Sequence, residues 1–248
     1  MSLPAVFGAE GEVDELLQRI GPCRTSNTYR SRLVRFLQTV LSQYGLALRL
    51  QGSGSNTCRT YLPMSDIDLV ILPAASLSCH GAVDLQCLVS VFQALCAEVV
   101  AAEQRIAEDQ QQYQPFCIRN VEFINARTKV LHLLINNICV DITVNQSSAL
   151  DAASYIDRCD ALLGDNHLLK RSILLVKCWC LHESARLGVS IIDSKGGLFS
   201  SYAVCVLVLR LFNMYNPHSC VGQRNDGGVL KHPLTVLRTF LYIYSEQV

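Results

Sequence analysis

The sequence predicts an α+β protein in two lobes, a mixed sheet with helices followed by an all-helical region. Three observations carry this. Strand-like segments cluster in about the first 145 of 248 residues. From Leu150 onward the apolar residues recur at helical spacing instead. Half of the residues are hydrophobic and 17% are charged, which suits a packed core and not a disordered chain. A strand-rich stretch followed by a helix-rich one is the pattern of an α+β fold or of two domains.

In chain order, "SNTYRSRLVRFLQTVLSQYG" sets Leu33, Phe36, Leu37, Val40 and Leu41 at helical spacing, with Gly45 as the stop. "LALRLQ" alternates and reads as a strand. Gly52 to Asn56 reads as a turn, with one or two helical turns over Asn56 to Tyr61. "DIDLVIL" is a strand ended by Pro73, and Val83 to Ala102 is helical. The polar "EDQQQYQP" reads as a surface loop. "TKVLHLLINNICVDITVN" reads as two strands joined at Asn136-Asn137, residues suited to a tight hairpin turn. Beyond Leu150, "DAASYIDRCDALL", "LLKRSILLVKCWCLHESARLG", "SSYAVCVLVLRLFNMY" and "HPLTVLRTFLYIYSE" are all helical. The expected sheet domain is 25–147; 1–24 and 148–248 form the helical domain, expected to be cut short at its C-terminal side.

Net charge is zero, with no basic run of the kind that marks a stand-alone nucleic-acid binder. The longest apolar run, "SYAVCVLVLRLF", is broken by Arg210, so no membrane span is expected. The acidic N-terminal segment lacks the basic start of a presequence. The chain has 12 cysteines, many in apolar segments (Cys139, Cys178, Cys180, Cys205), read as reduced buried thiols of an intracellular protein. Cys178, Cys180 and His182 make a poor zinc chelate, because residues two apart on a helix face different ways.

The chemistry concentrates in "QGSGSNTCRTYLPMSDIDLVIL". Asp66 and Asp68 are two apart on a strand, so both carboxylates leave one face, while Ile67, Leu69 and Ile71 take the other. Carboxylates this close repel unless a cation sits between them. Oxygen ligands on a rigid strand suit Mg²⁺. A metal pair needs a third carboxylate, and Asp141 in "NNICVDITVN" is the candidate, flanked by Val140 and Ile142. The plainer reading is two surface aspartates at a strand end and an unrelated third. Aspartates interrupting apolar strands favour the cation, since unpaired buried carboxylates are costly. The preceding Gly-Ser turn lets a phosphate approach the backbone, and a following helix start favours anions.

These residues resemble the signature of the polymerase-beta nucleotidyltransferase superfamily: Gly-Ser, a short helix, then Asp-x-Asp on a strand. "LPMSDID" is similar to the "LPxSDID" of the noncanonical poly(A) polymerases and terminal uridylyltransferases. "ARTKVLHLLINNICVDITVN" resembles the strand pair that brings the third aspartate. "LLVKCWCL" and "KGGLFSSYAVCVLVLRLF" resemble two helices of the family's central, PAP-associated domain. The resemblance implies that Gly54 and Ser55 hold a triphosphate and that Asp66 and Asp68 bind two Mg²⁺ ions, with Mn²⁺ as a substitute. It implies that Asp141 binds the catalytic metal, Lys177 and Ser201 touch phosphates, and Tyr202 stacks on the base. Read without it, Lys177 is a helix-surface lysine, Ser201 a cap and Tyr202 a core residue. Asp66 lies 12 positions after Gly54 and 14 after Gly52; the shorter spacing matches the family. Gly52-Ser53 then ends the preceding strand.

Two departures bear on the nucleotide. Leu181 stands where uridylyltransferases often have a second lysine, and Ala152-Ala153 where they often have Asn-Thr. Both match the surveillance-type poly(A) polymerases of TRAMP complexes. "HPLTVLRTFLYIYSEQV" resembles the helix before the family's nucleotide-recognition loop. The expected activity is addition of AMP from ATP to an RNA 3′ end. The alternatives are addition of UMP from UTP, and a non-catalytic subunit of an RNA-processing complex. The neutral charge implies a separate RNA-binding partner and no membrane. The resemblance favours the nucleus over the cytoplasm.

Overall fold

A computed structural model describes residues 3–72, 82–107, 115–126, 128–192, 198–215 and 230–245. The expected loop "EDQQQYQP" falls, apart from Pro115, outside the described residues, as do Pro73 and the Lys195-Gly196-Gly197 stretch. The chain divides into two compact units, one made of Arg24–Thr57 and Met64–Ala152, the other of Met1–Cys23, Cys58–Pro63 and Ala153–Val248.

The first unit is a five-stranded sheet with helices. Its strands are β1 (Arg49–Gly52), β2 (Ile67–Leu72), β3 (Ile118–Asn125), β4 (Lys129–Ile135) and β5 (Ile138–Val144), in the order β1-β2-β5-β4-β3. β2 and β5 run parallel and the other neighbours antiparallel, so the sheet is mixed. The Asn136-Asn137 turn forms as expected, both residues taking the positive φ that a two-residue hairpin turn demands (48° and 66°). β3 was not anticipated. Its burial does not alternate cleanly, and its pairing with β4 shifts register between Arg119 and Glu122, beside the left-handed Asn120.

Helices α2 (Arg24–Gln43) and α4 (Ala82–Ala107) pack in this unit. Leu33, Leu37, Val40 and Leu41 of α2 and Leu88, Val91, Ala94 and Leu95 of α4 share one core with Ile67, Leu69, Ile71, Leu131, Leu133, Val140 and Ile142. Uninterrupted apolar runs understate α4. Asp84–Ile106 is long and apolar enough to cross a membrane by length and composition. Here the helix packs on β3, β4 and β5, and its buried Glu98 pairs with Arg105 at 2.6 Å and accepts from the Tyr44 hydroxyl. Strand β1 is shorter than "LALRLQ" suggested. The short helix α3 (Gly54–Thr57) lies earlier than expected, because the left-handed Arg59 (φ 56°) turns the chain straight after it.

The second unit is helical: α1 (Leu3–Ile20), α5 (Ser147–Leu163, whose first turns belong to the sheet unit), α6 (Leu168–Leu187), α7 (Ser201–Tyr215) and α8 (Pro233–Ser245). α6 is its central element, touching α1, α7 and α8 and burying nine residues. Gly188 ends α6 in the left-handed conformation that glycine adopts without strain (φ 69°). The segment Cys58–Pro63 packs here: Cys58 joins the α6–α7 core, and Leu62 sits with Leu17, Leu174 and Leu175. An ion pair of Asp14 with Arg171 and a hydrogen bond between Asp14 and His232 (3.1 Å) tie α1 to α6 and to the start of α8.

Candidate active site

Register builds the site. In the parallel pair, Asp68 of β2 and Asp141 of β5 are Cα partners. Adjacent strands stand about 4.8 Å apart, so the two carboxylates leave the same face as direct neighbours. Both are half-buried. The residues on either side of them are sealed: Ile67, Val140 and Ile142 are 0% exposed and Leu69 is 1%. Neither strand can slip by one residue without turning that apolar set outward. Asp66 lies one residue before β2 and is exposed. Its backbone is held by Arg30 of α2, itself only 4% exposed. One guanidinium nitrogen donates to the Ser65 carbonyl at 2.7 Å, the other to the Asp66 carbonyl at 3.2 Å.

The two Gly-Ser pairs separate cleanly. Gly52 is the last residue of β1, paired with Leu69. The Ser53 amide donates to the Asp68 carbonyl at 2.9 Å. Gly54 follows with φ +57°, and a Cβ there would overlap Asp68 Oδ2 and stand 3.2 Å from its Cγ. The missing side chain is the space that the Asp68 carboxylate uses. At Gly52 an added Cβ would meet only the ends of Thr57 and Asn56, at 3.2 and 3.4 Å. Ser55 follows Gly54 in α3 and is half-buried.

Asp141 has a partner that sequence reasoning passed over. His132 Nδ1 lies 2.6 Å from Asp141 Oδ1, and the two are Cα partners across β4 and β5. The signal was present. A two-residue turn at Asn136-Asn137 pairs positions whose numbers sum to 273, which sets 132 opposite 141. Arg30 also left a signal, since it stands three before Leu33 and seven before Leu37, on the apolar face of its helix.

Gly54, Asp68 and Asp141 are thus brought together in the sheet unit. Lys177, Ser201 and Tyr202 belong to the helical unit. Lys177 is not a surface lysine: it is 4% exposed and donates to the Thr60 carbonyl at 3.0 Å. An ammonium carries three donors, so this bond leaves it capable of further contacts. Burial pushes the nearby Cys205 thiol up, against the opposing pull of the Lys177 charge. Tyr202 is not core; it is 54% exposed on the first turn of α7. The cap is Ser200, whose hydroxyl accepts from the Ala203 amide at 3.0 Å, and Ser201 is exposed. Cys180 is buried, Cys178 half-buried and His182 exposed, so these three do not converge.

Among the described residues, no three His, Cys, Asp or Glu side chains are gathered closely enough to hold a metal ion unaided. The arrangement that is present, two neighbouring carboxylates with a third on the adjoining turn, suits Mg²⁺. That ion is usually bound by one or two carboxylates, with substrate phosphates and water completing its shell.

Residues 163–247 match the PAP/OAS1 substrate-binding domain. No curated protein matches the chain. Solved structures match it in shape. A chain of the GLD-2/RNP-8 complex is 13% identical with a TM-score of 0.65, covering 96% of this chain and 85% of its own. The polymerase core of TRAMP, an RNA surveillance complex, is 20% identical with a TM-score of 0.67, covering 96% of this chain, which spans 64% of it. Cid1 poly(U) polymerase bound to MgATP is 18% identical with a TM-score of 0.67, covering 97% and 75%. Residues 163–247 thus resemble a PAP/OAS1 substrate-binding domain, and the chain shares its fold with these solved structures.

Proposed function

We propose that this chain, with that fold, is a template-independent RNA 3′-terminal nucleotidyltransferase that adds AMP from ATP. The RNA 3′-oxygen forms a bond to the α-phosphorus, the bond to pyrophosphate breaks in line, and the hydroxyl proton passes to solvent. The observation that carries the reading is the registered Asp68–Asp141 pair, with Gly54 vacating the space of the Asp68 carboxylate.

Asp66, Asp68 and Asp141 would hold two Mg²⁺ ions, Asp141 the catalytic one. When bound, the pair would stabilise the attacking and leaving oxygens. Structures of Cid1 with MgATP and with MgGTP support that choice of ion. Arg30 fixes the backbone that presents Asp66, and the sealed strands fix the other two. Gly54 and Ser55 would hold the triphosphate, and Lys177 and Ser201 would touch phosphates. The exposed Tyr202 ring is available to stack on the base.

Adenylate is preferred on Ala152-Ala153 and Leu181, residues that resemble the surveillance polymerases in place of the uridylyltransferase pattern. Leu181 is 48% exposed, so an apolar side chain occupies that surface position. Zero net charge supports a separate RNA-binding partner, and both the GLD-2/RNP-8 and TRAMP structures are of complexes. A nuclear location accords with the surveillance type. The test is incubation with a labelled short RNA, Mg²⁺ and each nucleoside triphosphate in turn. Extension with ATP supports the reading, and extension mainly with UTP selects uridylyl transfer. Extension with none, with or without partners, leaves the non-catalytic subunit as the function.

A further inference from the structure

The row of cross-strand partners that contains the two strand aspartates continues past them. Asp68 is paired with Asp141, Asp141 with His132, and His132 with Glu122 of β3. Cross-strand partners project from the same face, so four ionisable residues stand in one line across four adjacent strands. Within that line His132 Nδ1 and Asp141 Oδ1 are 2.6 Å apart, with side chains 20% and 26% exposed. An ionised carboxylate can only accept, so the imidazole carries its proton on Nδ1 and donates.

Strand order makes the direction of approach informative. β5 lies between β2 and β4, so Asp68 stands on one side of Asp141 and His132 on the other. The imidazole takes one oxygen without entering the space between the two carboxylates. It also draws Asp141 against the repulsion of Asp68, which two directly opposed like charges would otherwise relieve by rotating apart. The strand that carries the imidazole is held firmly, because Leu131 and Leu133 on either side of it face the core and are 0% exposed.

We propose that His132 is a positioning residue for Asp141, fixing the plane of its carboxylate through Oδ1 so that Oδ2 faces the cation. This rests on the nucleotidyltransferase reading above. Partners of this kind, one bond removed from the metal, set ligand orientation and typically matter about 10–100-fold in metal affinity or activity. A pair that only joined two strands would alter stability and leave metal dependence alone.

The test uses the full chain, with His132→Ala and His132→Asn. The asparagine amide nitrogen reproduces the Nδ1 donor in place and geometry. Three quantities are measured: Mn²⁺ binding in the presence of a nonhydrolysable ATP analogue and no RNA, RNA extension as kcat and KM, and the thermal midpoint. For His132→Ala we expect Mn²⁺ affinity and kcat to fall about 10–100-fold, with the ATP KM little changed. His132→Asn is expected to restore most of both. If His132→Ala binds Mn²⁺ and extends RNA as the wild type does, the assignment is overturned. A lowered midpoint with unchanged Mn²⁺ affinity also overturns it, as does a wild type that binds no Mn²⁺. A wild type that binds Mn²⁺ with the analogue but extends no RNA removes the nucleotidyltransferase reading. The binding arm then still decides the role of His132.

Discussion

The strands of the sheet unit carry a row of polar groups with no counterpart among the buried polar groups described in the helical unit. In the sheet unit, Asp68, Asp141 and His132 interrupt apolar strands at adjacent registered positions, half-buried and facing one side. In the helical unit, Lys177 and Asp160 are buried and tied to the backbone or to neighbouring side chains. Lys177 bonds Thr60. Asp160, 2% exposed, accepts from the Lys170 amide and pairs with His167 at 2.7 Å and with the Lys170 ammonium. On the proposed function, the registered row on the sheet is where the ligand would bind, and the buried groups of the helical unit serve mainly its packing.

The largest effect is expected at Asp141 and Asp68. Asp141→Ala should reduce RNA extension by at least about 10³-fold, since the metal contributes several kcal/mol to the transition state and each 1.36 kcal/mol is tenfold. Circular dichroism and the thermal midpoint should stay near wild type. A variant that keeps its activity would remove the metal assignment and, with it, the distinction between the units.

Next comes Gly54→Ala against Gly52→Ala, both read by extension rate and urea unfolding. The new methyl at position 54 collides with the far end of the Asp68 side chain, which can move, so the fold survives. The left-handed backbone adds roughly 1–2 kcal/mol of strain. The carboxylate is displaced, and activity should fall about 10²-fold, the scale of a misplaced reacting group. Gly52→Ala meets only flexible side-chain ends and should cost clearly less. Equal losses at the two positions would mean that the Gly54–Asp68 fit has no functional weight.

The same substitutions show what was legible in advance. Gly54, Asp66, Asp68 and Asp141 stood out because their signals are local: a spacing, a parity along a strand, a carboxylate inside an apolar run. The hairpin at Asn136-Asn137 was legible because the turn chemistry sits in two adjacent residues. That turn also sets His132 opposite Asp141; the pairing of Asp68 with Asp141 was not legible, because parallel register between β2 and β5 is set by tertiary packing. The inclusion of Cys58–Pro63 in the helical unit was equally hidden, since six residues cannot declare a core that their sequence neighbours do not share. Lys177 and Tyr202 show the reverse failing. Their plain readings, surface lysine and core tyrosine, rested on average behaviour, and the structure inverts both.

Smaller effects belong to the helical unit and should appear in stability first. Asp160→Ala removes an acceptor of charged donors and should cost about 1.5–3 kcal/mol in urea unfolding, with kcat unchanged. Lys177→Met leaves the buried Thr60 carbonyl without its donor, at about 1–3 kcal/mol. If Lys177 also reaches a phosphate, the ATP KM rises as well, and Asp160→Ala provides the baseline for a purely structural loss.

The smallest effect concerns the thiols, and it separates the units by pH. Among the described residues, the buried cysteines Cys58, Cys159, Cys180 and Cys205 all lie in the helical unit, while Cys87, Cys96, Cys117 and Cys139 of the sheet unit are all at least partly accessible. Burial disfavours the thiolate and pushes Cys180 up to about 11. A thiol near 8.5 in the unfolded chain therefore loses its proton before the folded one does. The unfolded state binds fewer protons in that window, so stability falls as pH rises. The contribution of Cys180 is whole below about pH 8.5 and declines until about 11. Maleimide labelling at neutral pH, read by mass spectrometry, should modify the exposed Cys23 and Cys117 first and reach Cys180 and Cys205 only on unfolding. Raising the pH should then bring Cys180 into reach through opening of the helical unit, with labelling of Cys117 on β3's approach unaffected by that opening. Early labelling of Cys180 at neutral pH would show that the helical unit opens locally far more readily than its sealed core implies.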